Sequence, residues 1–104
     1  MVTPEHARSL ALQLPGAFEQ DHHGRPSVRV AGTIFATLWD EEHMNVMLEE
    51  DGILTAVQED PQACAERWWG KRLAAVSVSL RRVSPDALAE LLADAWEGKG
   101  GSAI

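Results

Sequence analysis

Residues 25 to 39 read Arg-Pro-Ser-Val-Arg-Val-Ala-Gly-Thr-Ile-Phe-Ala-Thr-Leu-Trp. Apolar side chains recur at every second position on either side of Ala31-Gly32, the period of a strand rather than a helix. The segment therefore predicts two strands folded back on each other at that pair. Val28 and Val30 share one face of the first strand, with Ser27 and Arg29 opposite. In the second, Ile34, Ala36 and Leu38 share a face, and Thr33, Phe35, Thr37 and Trp39 share the other. Gly24-Arg25-Pro26 reads as a turn or strand start, because proline cannot donate to a ladder. A lone hairpin is marginal in water, so more strands are needed. His43 to Leu48 supplies one, with Met44, Val46 and Leu48 against His43, Asn45 and Met47. Leu73 to Leu80 supplies another, with Ala74, Val76, Val78 and Leu80 inward and Ser77 and Ser79 outward. Ala17 to His22 is a strand or an extended lead-in. Residues 62 to 72 have no clean period.

Helical signals flank and interrupt the strands. Thr3 can cap a helix that has Pro4 in its first turn and carries Ala7, Leu10, Ala11 and Leu14; Pro15-Gly16 stops it. Glu49 to Gln58 suggests a short helix ended by Asp60-Pro61. Ser84-Pro85-Asp86 starts a third, with Leu88, Leu91, Leu92, Ala95 and Trp96 on one stripe and Gly98 at its end. Segregated helices and consecutive strands make the chain α+β: an antiparallel sheet with N- and C-terminal helices and a short helix between strands. Residues 1–104 read as one domain, with 99–104 as a flexible tail.

The chain carries sixteen acids against nine bases, for a net charge of −7. Such an excess repels polyanions at long range, but the charges are unevenly spread. Arg67, Lys71, Arg72, Arg81 and Arg82 follow one another with no acid between them. The acids gather at Asp40-Glu41-Glu42, Glu49-Glu50-Asp51, Glu59-Asp60 and the last helix. A two-faced molecule is expected. The N-terminus lacks a basic region followed by an apolar run, and no apolar stretch approaches a membrane span. Cys64 is the one cysteine, which excludes an intrachain disulfide and suits a reducing compartment. These features point to a cytoplasmic protein without a membrane partner.

Leu14-Pro15-Gly16, His23-Gly24-Arg25-Pro26, Val30 to Leu38, and Val83-Ser84-Pro85-Asp86 with Leu91 to Trp96 together resemble the MmcQ/YjbR family of small bacterial proteins. The resemblance covers nearly the whole chain in order. It implies a compact α+β fold similar to secretion-chaperone-like and frataxin-like architectures. It also implies DNA binding through a double-wing arrangement, the description commonly attached to the family. The chain departs from the family's usual pattern at Val28, where an aromatic is common, and at Thr33, where a lysine is common.

Catalytic constellations are missing from the sequence. His22-His23 lie side by side, and neighbours on a strand point apart; with His6 and His43 they make no metal motif. The acidic runs lack the spacing of a calcium loop. Cys64 has Arg67 nearby but no obvious base. Gly70-Lys71-Arg72 lacks the upstream glycine and the hydroxyl residue of a phosphate-binding P-loop. No enzyme activity and no cofactor is expected.

Two surfaces remain. The first is Arg67, Trp68, Lys71, Arg72, Arg81 and Arg82, flanked by Arg25 and Arg29, as a DNA site on strand hairpins. There, cations would contact phosphates while an exposed tryptophan stacks or wedges. The ordinary alternative is that one of Trp68 and Trp69 plugs the core beside a solvated wing. The second is Phe35, Trp39 and Met47, on the less apolar face of the sheet, as an interface for a protein partner or a second copy of the chain. The ordinary alternative there is cover by a terminal helix.

Overall fold

The computed structural model describes residues 1–102. Three helices and six strands run in the order α1 (Pro4–Leu12), β1 (Phe18–His22), β2 (Arg25–Val30), β3 (Thr33–Leu38), β4 (His43–Val46), α2 (Glu50–Glu59), β5 (Cys64–Trp69), β6 (Arg72–Ser79) and α3 (Pro85–Gly98). Thr3 Oγ1 accepts the His6 N–H at 3.1 Å, and Ser84 Oγ accepts the Ala87 N–H at 3.1 Å. Each satisfies a donor that the first helical turn would otherwise leave unpaired.

The strands form one antiparallel sheet in the order β1-β2-β3-β4-β6-β5. The β2–β3 turn is Ala31-Gly32, with φ of 51° and 79°. Positive φ at both positions marks the two-residue turn whose twist matches the flanking strands. The chain then leaves the meander through α2 and returns with β6, not β5, beside β4. β5, ambiguous in the sequence, becomes an outer strand.

Register explains which face is buried. Val28, Ala36, Val46 and Val76 are successive cross-strand partners, and so are Leu38, Met44, Val78 and Cys64. Partners share a face, so these rows make an apolar floor. α1, α2 and α3 pack on that floor and close a core containing Ile53, Leu88, Leu92 and Trp96.

Two bulges shift the expected alternation. One lies between Val28 and Arg29, where β3 has an extra residue: Val28 pairs with Ala36, but Arg29 pairs with Ile34. An extra residue exchanges the faces beyond it. Phe35 is therefore fully buried in the core and Ile34 is half-buried on the other face. The expectation that Phe35 belongs to an exposed interaction face is corrected on this ground. The second bulge, between Arg67 and Trp68, puts Leu73 in the core cluster; Ala74, expected inward, is buried as well, though not part of that cluster.

Of the segment read as a tail, residues 103 and 104 lie outside the described residues. Gly100 and Gly101 turn back on the last turn of α3, their N–H groups donating to Glu97 O and Trp96 O. Gly101 lies so close to the Trp96 ring that a Cβ there would overlap it. Trp96 Nε1 donates to Pro15 O at 2.8 Å, tying α3 to the loop after α1. Arg8 and Glu19 form an ion pair between α1 and β1. Among the described residues no helix is long and apolar enough to cross a membrane.

Candidate nucleic-acid interface on the open sheet face

All three helices lie on one side, so cover for the other side has to come from side chains of the sheet. Ser27, Thr37, Asn45 and Ser77 form a polar row of cross-strand partners there. Ser27, Thr37 and Asn45 are buried nonetheless. Trp39, just past the end of β3, and Arg67, on β5, supply much of this cover. β4 and β6 separate their strands, a span of roughly 14 Å at ordinary strand spacing. Their side chains still meet: the Arg67 guanidinium carbon is 4.1 Å from the Trp39 ring centroid. Arg67 pairs with Ala75 and Trp39 lies two residues beyond Thr37, so the line between them passes over Asn45 and Ser77.

Arg25 completes the arrangement. Its guanidinium carbon is 4.0 Å from the same centroid, and its Nε donates to Trp39 O at 2.9 Å. Both guanidinium groups therefore lie against the same indole. Each gains from the ring quadrupole, by about 0.5–2 kcal/mol for such contacts in general. The indole thus holds two like charges close together on a surface that an anion would neutralise.

The groove over this face has a volume of about 620 Å³. Its lining runs from His22, His23 and Arg25 at one corner of the sheet to Trp69 and Arg72 at the diagonally opposite corner, with Arg29, Ile34, Asn45 and Met47 between. Sheet twist raises diagonal corners toward one side, which is how hairpins at opposite edges can wall one groove. No aspartate or glutamate lines it, and Lys99 adds a further cation. Arg72 lies 5.8 Å from the Trp69 ring centroid, and Trp69 is 42% exposed.

The predicted basic set therefore divides. Arg25, Arg29, Arg67 and Arg72 converge on the open face. Lys71 sits exposed in the adjacent β5–β6 turn. Trp68 points to the helix side with its partner Leu73 and donates its Nε1–H to Glu66 Oε1 at 2.9 Å. Trp68 and Trp69 thus face opposite ways, as adjacent strand residues do, but neither plugs the core; Trp96 is the tryptophan of the core. Arg81 and Arg82 lie in the turn after β6 and do not line the groove. Arg81 pairs with Glu42 at 3.0 Å. Trp39 and Met47, read as belonging to a separate protein interface, lie on the arginine-bearing face. Asn45, Trp69 and Lys99 join them. Lys99 had no signal in the sequence; Asn45 had its strand parity, and Trp69 only its place beside Trp68.

His22 and His23 do not point apart. His23 adopts φ 53° in the β1–β2 turn, and the two rings meet edge to face at 4.4 Å. Among the described residues no group of three or more His, Cys, Asp or Glu is placed to hold a metal ion.

The helix side has the opposite character. A groove of about 810 Å³ between α2 and α3 is lined by seven carboxylates, among them Asp51, Glu59, Glu90 and Asp94, and by one cation, Lys99. Outside both grooves, at the β3–β4 turn, Asp40 accepts from the Glu42 N–H at 2.7 Å and contacts His43 at 3.0 Å. Burial pushes its carboxyl up, but the Glu42 and His43 contacts outweigh that and hold it below its usual range.

Cys64 is buried at the start of β5, and burial, with Asp60 beside it, pushes its thiol up to about 11. At pH 8 the folded protein should react with iodoacetamide about a hundredfold more slowly than the unfolded chain, whose thiol ionises about two units lower. Alkylation rates with and without urea measure this; equal rates would place the thiol in an exposed setting. The thiol's contribution to stability is intact below pH 9 and is lost as pH rises toward 11.

Helices on one face of a six-stranded antiparallel sheet, with a cationic tryptophan-bearing groove on the other, define a class of small α+β domain. The chain belongs to the YjbR family, whose model matches residues 12–98. It is also similar to the crystal structure of Deinococcus radiodurans protein DR2400, which carries the family-model domain DUF419. That likeness has a TM-score of 0.76 at 21% identity and covers 99% of this chain and 84% of the other. At that identity the likeness is one of fold. Compared with curated proteins, the chain matches none.

Proposed function

We propose that this YjbR-family chain is a non-enzymatic DNA-binding protein that takes a single strand along its open sheet face. The observation that carries the reading is the charge partition. In a chain of net charge −7, Arg25, Arg29, Arg67 and Arg72 gather on the one face whose groove has no carboxylate in its lining. The β1–β2 and β5–β6 hairpins serve as the two wings. Arginines contact phosphates, which fixes the strand without reading its sequence. Trp69 offers a face on which a base stacks. A single strand suits the site better than a duplex, because no helix stands on this side to enter a major groove.

Fluorescence anisotropy of labelled single- and double-stranded DNA at low and physiological salt tests this. The expected result is salt-sensitive, micromolar binding that favours the single strand. Absence of binding even at low salt would overturn it.

A second reading has its own support: Trp39 and Met47 add apolar surface to the same groove, which would suit an acidic protein segment. A symmetric pairing of two such faces is disfavoured by the arginines, which would meet their like. Salt-tolerant capture of an acidic peptide, together with no binding to DNA, would favour this reading.

A further inference from the structure

Asn45 is 1% exposed, and neither its Oδ1 nor its Nδ2 has a hydrogen-bond partner in the protein. A buried amide in that state is costly. Its neighbours could have been chosen to relieve it, since the same row pairs Ser27 Oγ with Gln20 O at 2.5 Å. Arg29 Nε and Arg67 Nε, on the same face, are buried and unpartnered too. Among the described residues these four atoms, on three residues, are the whole set of buried side-chain polar atoms without a partner. Their gathering on one face argues for a ligand site rather than scattered imperfection.

The chemistry of the four atoms is specific. The amide offers a donor and an acceptor side by side in one plane, and the two guanidinium groups offer N–H donors. A planar group with an adjacent donor and acceptor on its edge, carried on an anion, would satisfy all of them. Nucleobases carry such an edge. The groove's size falls within the range for small-ligand sites.

We infer that Asn45 takes the hydrogen-bonding edge of one unpaired nucleobase, with its phosphate held by Arg29 and Arg67. The inference rests on the nucleic-acid reading of the face and adds a base contact to it. Arg67 must swing off Trp39 to admit the base, since the two side chains meet above Asn45. A carboxamide rotated either way complements the edge of any base, so this contact detects the presence of an edge and does not select a letter.

The test separates edge from phosphate. A labelled oligothymidylate is compared with the same strand bearing difluorotoluene, which keeps the shape and stacking of thymine but forms almost no hydrogen bonds. The wild-type protein is expected to bind the natural strand about tenfold more tightly, as one good pair of hydrogen bonds gives. Asn45→Val is expected to bind both strands equally and to melt no lower than wild type, because the orphaned amide is gone. Thymidine monophosphate distinguishes the sources: binding as tight as the strand's keeps the base pocket but assigns it to free nucleotides. Equal, salt-sensitive binding of both strands by the wild type would overturn the base contact and leave the phosphate reading standing. Binding of neither strand nor the mononucleotide would overturn both. Should Asn45→Val fail to fold, the wild-type comparison alone decides.

Discussion

Replacing Arg29 and Arg72 together by glutamate is expected to lower affinity for single-stranded DNA at least a hundredfold and to flatten its dependence on salt. Each phosphate contact to a single strand contributes about 0.7 to the slope of log affinity against log salt, so losing two should reduce the slope by about 1.4. The control is Arg81→Glu with Arg82→Glu, which changes net charge by the same amount in a turn outside the groove. If binding follows the local surface, the control keeps most of its affinity and slope. If it follows the total charge alone, both variants weaken equally and the groove is not the site. Arg72 is exposed but Arg29 is only partly so, with its Nε covered, so circular dichroism first checks that both variants are folded. Titration across a range of salt concentrations gives affinity and slope in one experiment.

Phe35→Ala is expected to cost about 3–5 kcal/mol, a large share of the ~5–15 kcal/mol that holds a domain of this kind together. Phe35 has no exposed surface and belongs to the core cluster under α3. Neighbouring strands and helices cannot collapse into a hole of that size without giving up their own contacts. Ile34→Ala should cost much less, because Ile34 is half-buried at the edge of the open groove. Strict alternation from Val28 predicts the reverse order, with Ile34 inside and Phe35 outside. Urea denaturation of the two variants therefore tests the β2–β3 bulge directly. A greater loss for Ile34→Ala would mean the register is wrong.

That pair of residues shows where the sequence could be read and where it could not. The turn at Ala31-Gly32, the caps at Thr3 and Ser84 and the order of elements follow from local chemistry, and all are visible in a window of a few residues. A bulge is set by how two strands meet, so the face of Phe35 is fixed by β2 and not by its own neighbours. The place of β5 is likewise a property of the whole sheet. A simple meander would put it beside β4, but β6 takes that position and carries Arg67 out to where only a long side chain reaches Trp39. This is why the arginines and the Trp39–Met47 pair looked like two surfaces in the sequence. The pairing of Arg25 and Arg67 on one indole joins residues 42 positions apart, and no local pattern announces it. Arg81 and Arg82 follow Arg67, Lys71 and Arg72 closely along the chain, yet the eight residues of β6 carry them to the other end of that strand.

The carboxylate-lined groove between α2 and α3 has a consequence for what a coated strand would look like from outside. With arginines turned inward on the phosphates, each bound molecule would present its acidic helices to the solvent. The outer skin of such a coat would keep the sign of bare DNA. A second layer of the same protein would meet carboxylates lying just above the first layer's helices, and a neighbouring strand would be repelled as before. If the chain coats DNA as proposed, coverage would then stop at a monolayer, and coated strands would stay dispersed instead of condensing.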